Sequence, residues 1–394
     1  MEVSWWRGVA IVCGWLGAGL LVTSTALVMR EPHFVRAMGG LEAAYRWHHR
    51  AGVLAYLALL AHPIALALDG RTESSRAAWQ ALTPWTQAWP VWLGWFALLL
   101  VMIGLATTFS VLLPYRYWRK LHLLLGLSVL LSLAHVWALS GDHLRSIGLV
   151  ATGLLALSWR LIVSDRGLTD YPYRVVAVTR PAAGMIEASL APCAGTLALE
   201  PGQFVLAAFG HGPRYEGCGE YHPFTVSGID AGQRLRLTVK ALGSCSQRLQ
   251  ALEPGVLVRL QGPFGNFLSG TPGSPELWIA GGIGITPFMA ALRAQPRTQS
   301  TMLIYLYRSI ADAAFLNELD DLAAADPLLE LVTVATGDRL PNVDTLISAV
   351  HRLSERRVYL CGPRAMVEAL VPQLVELGVS RRSIRFELFD FRER

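Results

Sequence analysis

The chain has 394 residues, of which 53% are hydrophobic and only 16% are charged, and its mean hydropathy is +0.39. A net charge of +5 and a pI near 9.1 would suit a nucleic-acid partner, but the basic residues cluster at the ends of apolar segments, where they report membrane topology; no nucleic-acid binding is expected. The five cysteines (Cys13, Cys193, Cys218, Cys245 and Cys361) form no CxxC or CxxCH pair, which argues against zinc, iron–sulfur clusters and covalently attached haem.

Five stretches are long enough to cross a bilayer: roughly 8–29, 48–68, 90–113, 119–140 and 145–163. The first is too long for a signal peptide and lacks a small-residue cleavage site, so it reads as an anchor. Arg30, Arg36, Arg46 and Arg50 lie between the first two spans, Arg116, Arg119 and Lys120 between the third and fourth, and Arg160, Arg166 and Arg174 after the fifth. The positive-inside rule makes that side cytoplasmic. The lipid bilayer is then a partner, a bacterial inner membrane the expected location, and the C-terminal region cytoplasmic. Trp85, Trp89, Trp92 and Trp137 are expected in the outer aromatic belt.

Four histidines within these spans carry chemistry. His48 and His62 are 14 residues apart in the second span, and His122 and His135 are 13 apart in the fourth. An intramembrane histidine is costly and needs a function, and neutral imidazole is a common haem ligand. Both spans run from inside to outside, so they present ligands at two matching depths, roughly 20 Å apart at about 1.5 Å per residue. Two stacked, non-covalent b-type haems would form an electron wire. Fourteen residues leave a helix about 40° short of whole turns, whereas thirteen leave about 140°. The second pair therefore requires a tightened turn or different side-chain directions. His49 is the alternative to His48, while His33 and His143 are expected in loops. Gly52 and Gly126, each four residues after a first histidine, would admit a flat macrocycle or another helix.

After Tyr171 the pattern changes. YRVVAV, GMIEASLA, FVLAAF, LRLTVKAL and VLVRLQG are short strand-like segments at barrel spacing. His222-Pro223-Phe224-Thr225 is expected at the end of one such region. Lys240 to Ser246 follows a strand, with Gly243 and Ser246 in a turn suited to phosphate, and Gly262-Pro263-Phe264-Gly265 closes the barrel. From about 276, strands alternate with helices, as in a parallel α/β sheet with a nucleotide crevice at its carboxyl edge. Gly282, Gly284, Thr286 and Pro287 lie in GGIGITP, between strand and helix. Arg308 ends the next strand, with no acidic residue there to hold a ribose hydroxyl, which favours the 2′-phosphate of NADPH over NADH.

From residue 45 onward the order of segments resembles the NADPH oxidase and ferric reductase superfamily, especially its short bacterial members. The resemblance implies bis-haem ligation by His48, His62, His122 and His135, at spacings of 14 and 13. It implies that HPFTVSG is the flavin motif, with Thr225 at the isoalloxazine and His222 near the FAD phosphates. GSCS is similar to the phosphate-binding turn of the ferredoxin–NADP reductase fold. GGIGITP and Leu360-Cys361-Gly362-Pro363 resemble the nicotinamide-nucleotide motifs, so Cys361 would lie near the nicotinamide. In the ending Glu387-Leu388-Phe389 the aromatic would cover the flavin, with Phe391 the alternative to Phe389. Five spans stand where the family often has six. The lack of a calcium-binding extension or long insert implies no obligatory cytosolic activator.

The fold class expected is a multidomain membrane protein: a transmembrane α-helical bis-haem bundle (1–168), an antiparallel β-barrel flavin domain (169–270) and an α/β parallel-sheet NAD(P)H domain (271–394). The expected function is electron transfer from cytosolic NADPH through FAD and two haems to an outer-side acceptor, with oxygen, giving superoxide, favoured over a ferric chelate. A periplasmic protein or quinone as acceptor, a haem-free membrane-anchored flavin reductase, and a scaffold with a degenerate reductase domain are the alternatives. The intact HPFT, GGIGITP and CGP segments argue against the last.

Overall fold

The computed structural model describes residues 4–109, 115–140, 143–230, 232–270, 273–339, 346–347 and 350–389. The chain divides into two compact units, Met1–Leu168 and Thr169–Glu393.

In the first unit the helices are α1 (Trp5–Ala26), α2 (Pro32–Ala37), α3 (Leu41–Glu73), α4 (Ser75–Leu82), α5 (Trp89–Phe109), α6 (Tyr115–Leu139) and α7 (His143–Ser158), which continues as a π-helical turn, Trp159–Ser164. Among the described residues five helices are long and apolar enough to cross a membrane, as the hydropathy pattern predicts. The second is longer than expected, running from Leu41 to Glu73 with Pro63 inside it. Residues 110–113 of the third expected span lie outside the described residues. His33 and His143 are not in loops: His33 lies in α2, which Glu31 caps by accepting from the Phe34 N–H, and His143 opens α7.

Large apolar side chains face outward in this unit, including Ile11, Val12 and Leu16 on α1, Leu54, Leu57 and Ile64 on α3, and Phe96, Leu99 and Met102 on α5. Many buried positions are small, among them Ala10, Ala18, Ala44, Ala51, Ala55, Ala58 and Ala97, beside a cluster of Leu21, Val22, Val101, Val129 and Leu133. That inversion fits a lipid solvent, where close backbone approach replaces hydrophobic collapse as the source of packing. α1 packs along α3 and α5 along α6, with α7 against α1 and α6. A Cβ on Gly17 would come within 2.7 Å of the Leu59 side chain, and one on Gly104 within 2.4 Å of Leu125.

The second unit begins with a closed six-stranded barrel of β1 (Tyr171–Ala182), β2 (Met185–Pro192), β3 (Phe204–Phe209), β4 (His222–Asp230), β5 (Arg234–Lys240) and β6 (Leu257–Phe264), in the order β1-β2-β5-β4-β3-β6. Alternate residues fill its core, among them Tyr173, Val175, Ile186, Leu190, Val205, Leu235, Leu237, Val258 and Leu260. The buried Tyr173 hydroxyl accepts from the Leu197 N–H at 3.1 Å. A short helix, α8 (Ser244–Arg248), follows β5.

The chain then builds a parallel sheet of β7 (Glu276–Gly281), β8 (Thr301–Tyr307), β9 (Leu329–Ala335), β10 (Arg357–Pro363) and β11 (Ile384–Phe389), ordered β11-β10-β7-β8-β9. β7 and β8 are buried along their whole length, as parallel strands covered on both faces should be. Helices α9 (Thr286–Ala294), α10 (Leu316–Ala325) and α11 (Arg364–Glu376) complete the layers. The strand order reverses at β7, which puts a crevice between the carboxyl ends of β7 and β10.

Arg293 of α9 joins barrel and sheet. Its side chain is 8% exposed. It donates to Glu187 of β2 at 2.7 Å, to the Ser227 carbonyl of β4 at 2.8 Å, and to both Glu318 oxygens of α10 at 2.6 and 2.7 Å. Ser227 and Thr238 hydroxyls also donate to Glu187, at 2.7 and 3.3 Å. Removing one partner from a buried charged network costs about 3–5 kcal/mol, because the remaining charges are stranded. Arg293→Leu should therefore lower the unfolding temperature of this unit in the full-length protein by several degrees. Breaking the exposed Arg308–Asp338 pair with Arg308→Leu should leave that temperature unchanged. Equal melting curves for both variants would remove Arg293 from this role.

Candidate functional site

In the membrane unit, the ring centroids of His48 and His122 are 6.1 Å apart at an interplanar angle of 72°. Those of His62 and His135 are 6.4 Å apart at 82°. First histidines face each other and second histidines face each other, so α3 and α6 run in the same direction. His49 is exposed and sits against Phe109 at 5.9 Å; the structure brings His48, and not His49, to His122. α6 is continuous α-helix through His122 and His135. The 13-residue interval is therefore accommodated by side-chain direction and not by a tightened turn.

Each ring is held from behind. His62 Nδ1–H donates to the Ala10 carbonyl at 2.7 Å, His135 Nδ1–H to the Pro90 carbonyl at 2.8 Å, and His48 Nδ1–H to the Ser24 carbonyl at 2.8 Å. His122 Nδ1 lies 3.5 Å from the Thr108 hydroxyl, and its ring stacks on Trp118 at 4.9 Å. The three carbonyl bonds place the proton on Nδ1 of His48, His62 and His135 and leave Nε2 as the unprotonated nitrogen of each ring.

Two glycines make this possible. Gly14 and Gly94 lie four residues after Ala10 and Pro90, where their own N–H groups approach the same carbonyls. A Cβ on Gly14 would meet His62 Nδ1 at 3.0 Å, and one on Gly94 would meet His135 Cε1 at 2.8 Å. Neither glycine stands out in the sequence, because the signal lies in two helices far apart along the chain. Gly52, in contrast, has only the Ser24 hydroxyl near its missing Cβ, at 3.6 Å, and Gly126 only Leu157, at 3.4 Å. At one end of this unit, Arg30 and Arg160 share the single carboxylate of Asp165.

In the second unit, the HPFT segment corrects an expectation: it opens β4 and does not end a strand. His222 to Thr225 pair only with β3, Ala207 to Phe204. Pairing of β4 with β5 begins at Val226↔Leu237. Residues 222–225 thus lie ahead of the β5 ladder, which is also why Pro223, lacking an N–H, is tolerated there. Thr225 is buried and Pro223 exposed. Lys240 ends β5, opposite Met185. The Ser246 hydroxyl holds its own turn, accepting from the Leu242 and Gly243 N–H groups at 2.9 and 2.8 Å.

At the crevice of the parallel sheet, backbones touch. A Cβ on Gly284 would lie 2.0 Å from the Cys361 carbonyl oxygen, and one on Gly362 would lie 3.1 Å from Gly281 Cα. Gly282 takes φ +54°, so glycine is favoured there as well. Thr286 donates to the Ile283 carbonyl at 3.0 Å, and Pro287 sits in the first turn of α9. Cys361 is fully buried, which pushes its thiol pKa well up, so it stands as a neutral thiol. Phe389 ends β11 opposite Pro363; Phe391 lies outside the described residues. Arg308 is exposed and pairs with Asp338 at 3.1 Å. The expectation of no acid at that position is corrected: the acid comes from the turn after the neighbouring strand, β9, out of reach of a strand-by-strand reading.

Residues 13–133 match the family model Ferric reductase like transmembrane component, and residues 278–371 match Oxidoreductase NAD-binding domain. The flavohemoprotein of Pseudomonas putida is 28% identical over 232 residues, covering 55% of this chain and 58% of that protein. The ferredoxin–NAD(P)(+) reductase component of the naphthalene 1,2-dioxygenase/salicylate 5-hydroxylase systems of Ralstonia sp. is 31% identical over 181 residues, covering 42% and 55%. The chain thus spans little more than half the length of these relatives. Ferredoxin–NADP reductase B of Sorangium cellulosum is 30% identical over 187 residues, which cover 42% of this chain and 76% of that protein. Among solved structures, the flavohemoglobin of Malassezia yamatoensis is similar in fold, with a TM-score of 0.52 at 19% identity, covering 99% of this chain and 100% of that one. The chain belongs to the NAD(P)H-dependent oxidoreductases of the ferredoxin–NADP reductase type, here joined to a ferric reductase-like transmembrane component.

Proposed function

We propose that this protein is a transmembrane electron transferase that takes reducing equivalents from NADPH on the cytoplasmic side of a bacterial inner membrane and delivers them to oxygen on the other side, giving superoxide. The observation that carries this reading is the ring separation within each histidine pair. With a metal–imidazole bond of about 2.0–2.1 Å, two imidazoles that held one metal ion between them would have centroids roughly 6.3 Å apart. The pairs stand at 6.1 and 6.4 Å. Nδ1 is occupied by a backbone carbonyl in three of the four rings, which supports Nε2 as the ligand atom. Arg30 and Arg160 both pair with Asp165. Two guanidiniums to one carboxylate leave a positive excess that suits the propionates of a b-type haem.

Bound FAD would supply the hydride-accepting and one-electron chemistry, and haems held by the His48–His122 and His62–His135 pairs would supply one-electron carriers within the apolar layer. The chain's own residues bind, orient and exclude water. The stretch of β4 ahead of the β5 ladder supports a flavin site there, which Pro223, Phe224 and Thr225 would line. His222, Lys240 and the Gly243–Ser246 turn are assigned to the FAD phosphates. Gly282, Gly284, Thr286 and Pro287 are assigned to the pyrophosphate of the nicotinamide nucleotide, and Gly362 and Pro363 to the floor of its crevice. Cys361, kept neutral by burial, serves as packing near the nicotinamide and not as a nucleophile. Phe389 is the aromatic cover. Arg308 is assigned to the 2′-phosphate, which would replace Asp338 as its partner; an exposed ion pair is worth only about 0–1 kcal/mol, so the exchange is cheap.

The test is pigment content combined with sidedness. The purified protein should bind two haems per chain. His62→Ala or His135→Ala should leave one haem and abolish outer-side cytochrome c reduction, while NADPH-to-dye transfer persists. Survival of both activities would eliminate the outer pair as a relay. In the unaltered protein, cytochrome c reduction should be suppressed by superoxide dismutase. Dismutase-insensitive reduction would point to a ferric chelate, quinone or periplasmic protein as acceptor and remove oxygen.

Two further outcomes follow from the geometry. Gly94→Ala should weaken haem retention at the His62–His135 pair by about 10–100-fold, as loss of a supporting contact does. Gly19→Ala, with nothing within 4 Å of its added Cβ, should not. Equal haem content in the two variants would discard the role of Gly94. Arg308→Leu should raise KM for NADPH by about tenfold or more with little effect on NADH, since a charged hydrogen bond contributes about 1.5–3 kcal/mol. Parallel changes for both nucleotides would show that Arg308 does not read the phosphate.

A further inference from the structure

Cys218 and Cys245 have no part in the proposed electron path. They are separated by 27 residues in sequence, yet form a disulfide with a Cα–Cα distance of 5.8 Å, inside the range of about 4.4–6.8 Å found for ordinary bridges. Cys218 belongs to the 210–221 segment leading from β3 into the HPFT motif. Cys245 lies in the Gly243–Ser246 turn itself. His222, the first residue of that motif, has a ring nitrogen within 4.8 Å of both sulfurs. The covalent link therefore joins the segment leading into HPFT to the Gly243–Ser246 turn assigned to the FAD phosphates. Both cysteines are partly exposed, in contrast to the buried Cys361, and Cys193, though exposed, carries a free thiol. In a reducing cytoplasm a disulfide is usually transient, catalytic or redox-sensing and is rarely a permanent staple.

We propose that Cys218 and Cys245 form a reversible dithiol–disulfide site, oxidised by a hydroperoxide, that sets how tightly the protein holds FAD. The proposal rests on the assignment of HPFT and GSCS to the flavin. One thiolate attacks the peroxide oxygen; the O–O bond breaks, a sulfenic acid forms, and an alcohol (water, if the oxidant is hydrogen peroxide) departs after protonation. The second thiol then displaces water from the sulfenic sulfur, and the S–S bond forms. The sulfur pair loses two electrons and two protons, and the peroxide gains them. A dithiol reductant reverses the change. The closed bridge restricts the 210–221 segment before flavin arrives, so less freedom is lost on binding. Reduction returns that freedom and weakens binding.

The experiment uses full-length, flavin-stripped protein in detergent, treated with hydrogen peroxide or dithiothreitol and then desalted. Maleimide mass shifts count reactive thiols, and flavin fluorescence measures the Kd for FAD. Oxidation should remove two thiols and lower the Kd by about tenfold. Cys218→Ser should hold the reduced-state Kd under both treatments, while Cys193→Ser should behave as the unaltered protein. Peroxide treatment that spares both thiols overturns the site. Loss of two thiols with an unchanged Kd overturns its effect on flavin. One zinc retained per reduced chain and lost in Cys218→Ser makes the cluster a metal site and overturns the redox assignment. Two thiols lost, with no FAD bound in either state, overturns the flavin assignment on which the proposal rests and leaves the thiol chemistry standing.

Discussion

A hydrogen bond from an imidazole N–H to a helix carbonyl governs the membrane unit. Ala10, Ser24 and Pro90 each give a backbone oxygen to a histidine on a neighbouring helix. In an apolar layer such a bond has no water to compete with it, so it decides both tautomer and ring direction. The consequence is two pairs of rings turned toward each other across α3 and α6, instead of four histidines satisfying local contacts. Metal sites depend on such supporting bonds nearly as much as on the ligands themselves. The arrangement is also why the bundle is so rich in glycine and alanine at its interior: a carbonyl can be offered to a neighbouring ring only where its own helix leaves room.

The second unit solves a different problem, that of bringing two folds to one cofactor. The barrel supplies an edge where β4 has run past β5. The parallel sheet supplies a crevice whose floor is glycine backbone against cysteine backbone. Neither feature is useful unless barrel and sheet keep a fixed spacing, and the Glu187–Arg293–Glu318 network, buried at Glu187 and Arg293, provides that. Its position is telling, since Ser227 belongs to the same strand as HPFT and α9 begins at the GGIGITP turn. The network therefore ties the two motif-bearing elements together through their far ends.

Charge near the carboxyl edge of the parallel sheet is arranged with less commitment. Arg308 and Asp338 are exposed and paired, an interaction weak enough to be displaced by an incoming phosphate. The buried thiol of Cys361 lies at the other extreme, uncharged because no water reaches it.

Much of this was legible in the sequence. Five spans, their basic flanks and four intramembrane histidines follow from hydropathy and residue type alone, because bilayer thickness and the cost of buried charge act locally along the chain. Strand periodicity and the glycine turns gave the barrel and the sheet for the same reason. Other features depended on residues distant in sequence. His48 was separable from His49 only once α6 stood opposite, and the angular misfit of a 13-residue interval disappeared only when side-chain direction could be seen. β4 beginning at His222, Asp338 facing Arg308, Gly14 and Gly94 behind the His62–His135 pair, and Cys218 meeting Cys245 all depend on contacts between segments. Periodicity reports which face of an element is apolar; it carries no information about which element that face will meet, and that is what tertiary packing decided.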